Sequence, residues 1–160
     1  MSSLPESASY YLDTAAMWKY YRDEPGDVQV RRLVSRSPVL VSPLTMLEFI
    51  AVLMRYYRRR CLRRKDVHAI ARRLRRDSAL GRTSRPFQVI QIPEGAFRQA
   101  EGFLLQYADQ CRLGANDALH LAIAIRHRAA DPIVFVTSDG ALKQVAKRQG
   151  VPCYDPALDP

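Results

Sequence analysis

Short apolar runs alternate with helix-like patterns along this chain, and that alternation restricts it to a parallel sheet covered by helices. The clearest run is IVFVT at 133–137, bounded by Asp131-Pro132 before it and Ser138-Asp139-Gly140 after it. Residues 10–12, 39–41 and 87–92 read as further strands, and 151–154 as a final edge strand. Between them, 14–22 and 27–35 read as helices. A long helix is expected over 43–62, with Ile50, Leu53, Met54, Tyr57 and Cys61 as its apolar stripe. Asp66 reads as the N-cap of the next helix, which buries Val67, Ile70, Ala71 and Leu74. After a turn-rich break at 81–86, Pro93 opens a helix reaching about Tyr107. A helix apolar on most sides, hence central, starts at Ala115 or Asn116, and the last helix stops at Gly150. The expected architecture is α/β, a doubly wound, mainly parallel sheet with helices on both faces. One domain is expected over 10–155, with a flexible tail at 1–9 and another at 156–160.

Composition excludes several classes. With 160 residues and 48% hydrophobic content, the chain has material for a real core and is not expected to be disordered. Its start lacks the pattern of a signal peptide, and its longest apolar run, 118–125, is interrupted by His120 and too short to span a bilayer. A cytoplasmic protein without membrane contact is expected. Cys61, Cys111 and Cys153 form no CxxC pair, and His68, His120 and His127 form no HExxH pair, so zinc and disulfide frameworks are disfavoured.

Four acids stand out against this background. Asp13 and Asp139 each follow a strand, Glu48 lies early in the helix over 43–62, and Asp117 lies in the first turn of the central helix. In open sheets, ligands bind beyond the carboxyl ends of the strands, where all four could meet. Singly, Asp117 could be no more than an N-cap neighbour and Asp139 no more than a cap. Together they suggest a pocket that holds a hard divalent cation, Mg²⁺ or Mn²⁺. On a chain of net charge +9, such a pocket points to phosphodiester chemistry. His120, one turn beyond Asp117, reads as a packed or supporting histidine, since carboxylate-held metal needs none. Ser138 has no adjacent base, which disfavours a covalent nucleophile.

The positive charge is concentrated: eleven Lys/Arg and one acid lie between Arg55 and Arg76. On a continuous helix, Arg55 and Arg59 fall within roughly 20° of Glu48, about 10 and 16 Å further along the axis. Arg55 and Arg59 on that line, and Arg63 in the same basic segment, are candidate RNA contacts, because so concentrated a positive field attracts a polyanion. The alternatives are a solvated face or a docking face for a protein partner.

The segments YLDT at Asp13, LTMLEF at Glu48, GANDALHLAIA at Asp117 and VTSD at Asp139 carry a resemblance that spans residues 10–154. In this order they resemble a PIN-domain ribonuclease, most closely the VapC-type toxin of toxin–antitoxin systems. The resemblance implies a PIN-like three-layer fold, Mg²⁺ or Mn²⁺ as cofactor, endonucleolytic hydrolysis of RNA, a homodimer and a small antitoxin partner. It makes Asp13, Glu48, Asp117 and Asp139 the catalytic and metal-holding quartet, and Thr137 a hydroxyl that supports the first aspartate. Thr14 and Asn116 flank the quartet as weaker supporting candidates. The arginine density of 55–76 departs from the pattern. Two rival functions remain open: a housekeeping RNA-processing nuclease without an antitoxin, and a catalytically silent RNA-binding or regulatory module. Four acids that repel phosphate argue against the silent module. An aspartyl phosphatase would need a second Asp at position 15, where Ala15 stands, and a receiver domain would need paired acids near its first strand.

Overall fold

Period-two alternation lets each central strand supply side chains to two separate cores. The computed structural model of the chain describes residues 8–80, 86–107, 109–129 and 131–158. Most of the 81–86 break, most of the 1–9 tail and the end of the 156–160 tail lie outside the described residues. In chain order the elements are β1 (Ser9–Leu12), α1 (Thr14–Tyr21), α2 (Asp27–Arg36), β2 (Val39–Val41), α3 (Pro43–Arg58), α4 (Arg64–Asp77) and β3 (Ser78–Leu80). They continue with β4 (Phe87–Val89), α5 (Ala96–Tyr107), α6 (Ala115–Arg128), β5 (Ile133–Val136), α7 (Gly140–Arg148) and β6 (Cys153–Tyr154).

The described strands form one sheet of order β3-β4-β2-β1-β5-β6. Every pairing is parallel, with Tyr10 opposite Val39 on one side of β1 and Val134 on the other. On one face Tyr11, Leu40, Ile133 and Phe135 pack against α5, α6 and α7. On the other, Tyr10, Leu12, Val39, Val41, Val134 and Val136 pack against α1, α3 and α4. This is a three-layer α/β/α arrangement with central β1 as the strand at which the winding reverses direction. The crevice beyond its carboxyl end is where such sheets receive ligands.

The structure corrects several expected boundaries. β3, an edge strand paired with β4, has no counterpart in the sequence reading, because three residues directly after an arginine-rich helix show no alternation. Strand β4 is shorter than the run 87–92. Asp66 is not an N-cap: it occupies the third position of α4, where its carboxylate accepts from the Arg63 amide. Pro93 does not open α5, which starts at Ala96. Helix α3 stops at Arg58, before 62, so Arg59 lies beyond the helix and not on a continued line from Glu48. Its buried face is also rotated, with Phe49 and Leu53 in the core while Tyr57 and Cys61 are exposed. The cause is Trp18 of α1, whose ring packs on Phe49 at 5.1 Å and Tyr56 at 4.9 Å.

Gly26 holds the turn into α2 at φ 93°, and a Cβ there would sit 2.5 Å from the Pro156 carbonyl oxygen. Replacing Gly26 by Ala combines a strained backbone with a clash against backbone, so a loss of about 1–3 kcal/mol is expected. Thermal unfolding followed by circular dichroism checks this; an unchanged midpoint would contradict it.

Candidate active site

Capping geometry places two of the acids. Where β1 ends, Asp13 turns the chain into α1, and its Oδ1 accepts from the Ala16 amide at 2.7 Å. Asp139 does the same for α7, its Oδ1 accepting from the Leu142 amide at 2.7 Å. The Thr137 hydroxyl accepts from the Asp139 amide at 3.0 Å and also interacts with the Asp13 carboxyl, so it bridges the ends of β1 and β5. Asp117 lies in the first turn of α6 and accepts from the Gly114 amide. The approach is close: a Cβ on residue 114 would lie 2.8 Å from Asp117 Oδ2, so a larger residue there would push the carboxylate aside.

Glu48, in the second turn of α3, is held by three donors. Thr14 Oγ1 donates to Oε2 at 2.6 Å, Asn116 Nδ2 donates to Oε1 at 2.6 Å, and His120 Nε2 lies 2.7 Å from Oε2. The carboxylate can only accept, so the His120 Nε2 carries a proton. Burial pushes the Glu48 carboxyl up, but the hydrogen bonds and charge of His120, with Thr14 and Asn116, outweigh it and bring the pKa down to about 2. Behind the imidazole, the Tyr11 hydroxyl sits 2.9 Å from Nδ1 and donates to Ser42 Oγ at 2.9 Å. A polar chain thus runs from the N-cap of α3 through the sheet core to the carboxylate, and fixes α1, α3 and α6 relative to one another. Tyr11→Phe would strand the buried His120 Nδ1, whereas the Ser42 hydroxyl keeps Thr45 as a partner. A loss of about 1–3 kcal/mol in urea denaturation is expected, and no change would show that the chain is not a unit.

All four acids line one cleft of about 360 Å³, together with Thr14, His120 and Arg55 and a wall that includes Trp18, Val52 and Tyr56. Their crowding is visible in their electrostatics. Burial raises the Asp13 pKa, Thr137, the Ala16 amide and His120 oppose it, and Asp117 adds to it. Asp117 is likewise raised by burial and then by Asp139, with Glu48 contributing in the same sense. Hard oxygen donors under mutual repulsion suit a divalent cation. Among the described residues, no three acid, histidine or cysteine groups already stand as a preformed coordination shell.

The structure brings together Asp13, Glu48, Asp117, Asp139, Thr14, Asn116 and Thr137, and sets Arg55 on the same cleft. Arg59 instead caps the end of α3, and Arg63 precedes α4 with its Nε 3.0 Å from Asp66 Oδ2. The Ser138 hydroxyl donates to Asp155 Oδ1 at 2.8 Å. The sequence reading did not identify Tyr11, Ser42, Trp18 or Tyr56. One signal was present for Tyr11: it stands two residues before Asp13 and so shares its side of the strand.

The same fold occurs in solved structures at low sequence identity. FitAcB from Neisseria gonorrhoeae is similar with a TM-score of 0.65 at 19% identity, covering 93% of this chain and 99% of that one. VapC20 from Mycobacterium tuberculosis, described as a Sarcin-Ricin loop cleaving toxin, has a TM-score of 0.59 at 20% identity, covering 85% and 94%. VapBC-1 from nontypeable Haemophilus influenzae has a TM-score of 0.62 at 15% identity, covering 92% and 98%. Comparison of the sequence with curated proteins finds no match. Among the described residues, no helix is long and apolar enough to cross a membrane. Residues 10–148 match the PIN domain, a domain of nucleases, and with the acidic cleft at the carboxyl edge of its parallel sheet the chain belongs to the PIN domain family.

Proposed function

We propose that this chain is a divalent-metal-dependent endoribonuclease and the toxin of a toxin–antitoxin pair. The observation that carries the reading is the convergence of Asp13, Glu48, Asp117 and Asp139, from four separate elements, on one cleft of a chain with net charge +9. A pure binding module for a polyanion has no use for four acids at its centre. The toxin assignment is supported by likeness to VapC20 and to the VapBC and FitAB complexes, whose partners make an antitoxin the expected companion.

Asp13, Asp117 and Asp139, with Glu48 beside them, would hold Mg²⁺ or Mn²⁺. When bound, such a cation polarises a phosphate and acidifies a water. The chain's own residues do the rest. Thr14, Asn116 and His120 keep Glu48 ionised and fixed at neutral pH. Thr137 and the two helix caps lock Asp13 and Asp139 in place. Arg55, on the rim of the cleft, supplies positive charge for a phosphate flanking the scissile one. A second copy of the chain has an apolar surface to cover in Phe97 and Leu105 of α5, 62% and 84% exposed, so a homodimer belongs to the same reading.

Purified protein given single-stranded RNA should cleave it with Mg²⁺ or Mn²⁺ and stop when EDTA is added. Gel analysis of end-labelled RNA reads the result. Undiminished cleavage in EDTA would remove the metal from the account, and cleavage of DNA but not RNA would replace the substrate.

A further inference from the structure

Beyond the acidic cleft, the same two helices lead to a second concavity of about 560 Å³ that includes Tyr21, Arg22, Arg60, Arg63 and Asp66 in its walls. Trp18 and Lys19 of α1 line the acidic cleft, and Tyr21 and Arg22 follow at the end of that helix in the second. On the α3 side, Arg55 and Tyr56 line the first, and Arg60 the second. The two concavities therefore succeed one another along α1 and past the end of α3. The end of α3 lies about 15 Å from Glu48 at the helical rise.

Three arginines and one carboxylate share the walls of this concavity. Asp66 accepts from Arg63 Nε and from the Arg63 amide, at 3.0 and 3.1 Å, which fixes Arg63 at the start of α4. Among the described residues, neither Arg22 nor Arg60 makes a salt bridge or a side-chain hydrogen bond. Arg60 is also held in an unusual conformation. Helix α3 ends with the Cys61 amide on the Tyr56 carbonyl (3.0 Å) and the Arg60 amide on the Tyr57 carbonyl (2.9 Å), a pairing that requires a left-handed residue at position 60. Glycine is the unstrained choice there, yet arginine occupies it at φ 58°. The strained residue is the one that brings a cation to the concavity.

We infer that this concavity is a phosphate subsite, which binds a phosphodiester of the RNA strand a few nucleotides from the scissile bond. The inference rests on the nuclease reading above and adds a footprint to it. Arginine forks match phosphate oxygens, and the three arginines outnumber the one carboxylate in the walls, Asp66, while Asp23, which also feels the charge of Arg22, is hydrogen-bonded to Arg31. The subsite selects for strand length: RNA long enough to reach it gains affinity, and a trinucleotide does not.

The test compares 3- and 8-nucleotide single-stranded RNA by fluorescence anisotropy with Mg²⁺ and the full chain carrying Asp117→Asn to prevent cleavage. Arg60→Gly removes the side chain while keeping the left-handed turn, so its melting midpoint should not fall. Arg22→Gln supplies a second, independent change. Each should cut the affinity advantage of the 8-mer over the 3-mer by at least about fivefold and lower the log–log salt slope for the 8-mer by about 0.7. Equal losses for both lengths, or an unchanged slope, would overturn the subsite. So would loss of binding to a polyglutamate peptide with RNA binding intact, which assigns the concavity to an acidic protein segment. An unchanged slope in a protein that still cleaves RNA in a metal-dependent way defeats this inference alone. A wild-type chain that neither binds nor cuts RNA defeats the nuclease reading with it.

Discussion

Asp117→Asn is expected to lower the cleavage rate by more than about 100-fold while leaving the fold intact. Removing an outer partner of a metal site commonly costs 10–100-fold, and a carboxylate inside the cleft should exceed that. The fold should survive because an asparagine oxygen can still accept from the Gly114 amide, which is the bond that seats the side chain. Only the charge is lost, and the charge is what crowds against Asp139 and Glu48. Rates within about threefold of wild type, with an unchanged circular dichroism spectrum, would show that Asp117 merely decorates the start of α6.

The second large effect is on stability and comes from the same crowding. Asp13 and Asp117 both have pKa values raised above the ordinary 3.8, in each case first by burial. A raised acid contributes stability that is fully present below its unfolded pKa and is lost as pH rises through the folded one. Metal-free protein should therefore weaken on going from acid toward neutral pH. Glu48 behaves in the opposite sense: depressed to about 2, its contribution is present above about 4.5 and is lost as pH falls toward 2. Stability without metal should thus peak on the acid side of neutrality. A cation that binds the ionised aspartates reverses the neutral-pH loss. At a free concentration 100-fold above its dissociation constant it adds about 2.7 kcal/mol, or roughly 5–10 °C in a domain of this size. Asp117→Asn should raise the metal-free midpoint at pH 7 and reduce the gain from Mg²⁺. Calorimetric midpoints that ignore pH, Mg²⁺ and the substitution alike would mean that the acids do not share a pocket.

What was legible in the sequence follows from where the signals lie. β1 and β5 are apolar runs that end in an aspartate within a few residues, so strand, edge and acid could be read in one window. Thr14 and Asn116 adjoin quartet members, and both contact Glu48 in the structure. The Tyr11–His120 contact joins residues 109 positions apart, and no local pattern announces it. The end of α3 was misread for a physical reason: Arg58, Arg59 and Arg60 are good helix formers, and no glycine marks the left-handed turn at Arg60. That extension carried Arg59 onto a line from Glu48 that the chain does not follow. The buried face of α3 was misjudged because Trp18, from another element, decides which of its sides is covered.

The central claim is that four carboxylates from separate elements form one divalent-cation site. Crystals of the protein soaked in Mn²⁺ and measured at the manganese absorption edge test it most directly. An anomalous peak is expected in the cleft bounded by Asp13, Glu48, Asp117 and Asp139, and its disappearance in Asp117→Asn crystals. A cleft without a peak at saturating Mn²⁺, or a peak unaffected by the substitution, would contradict it.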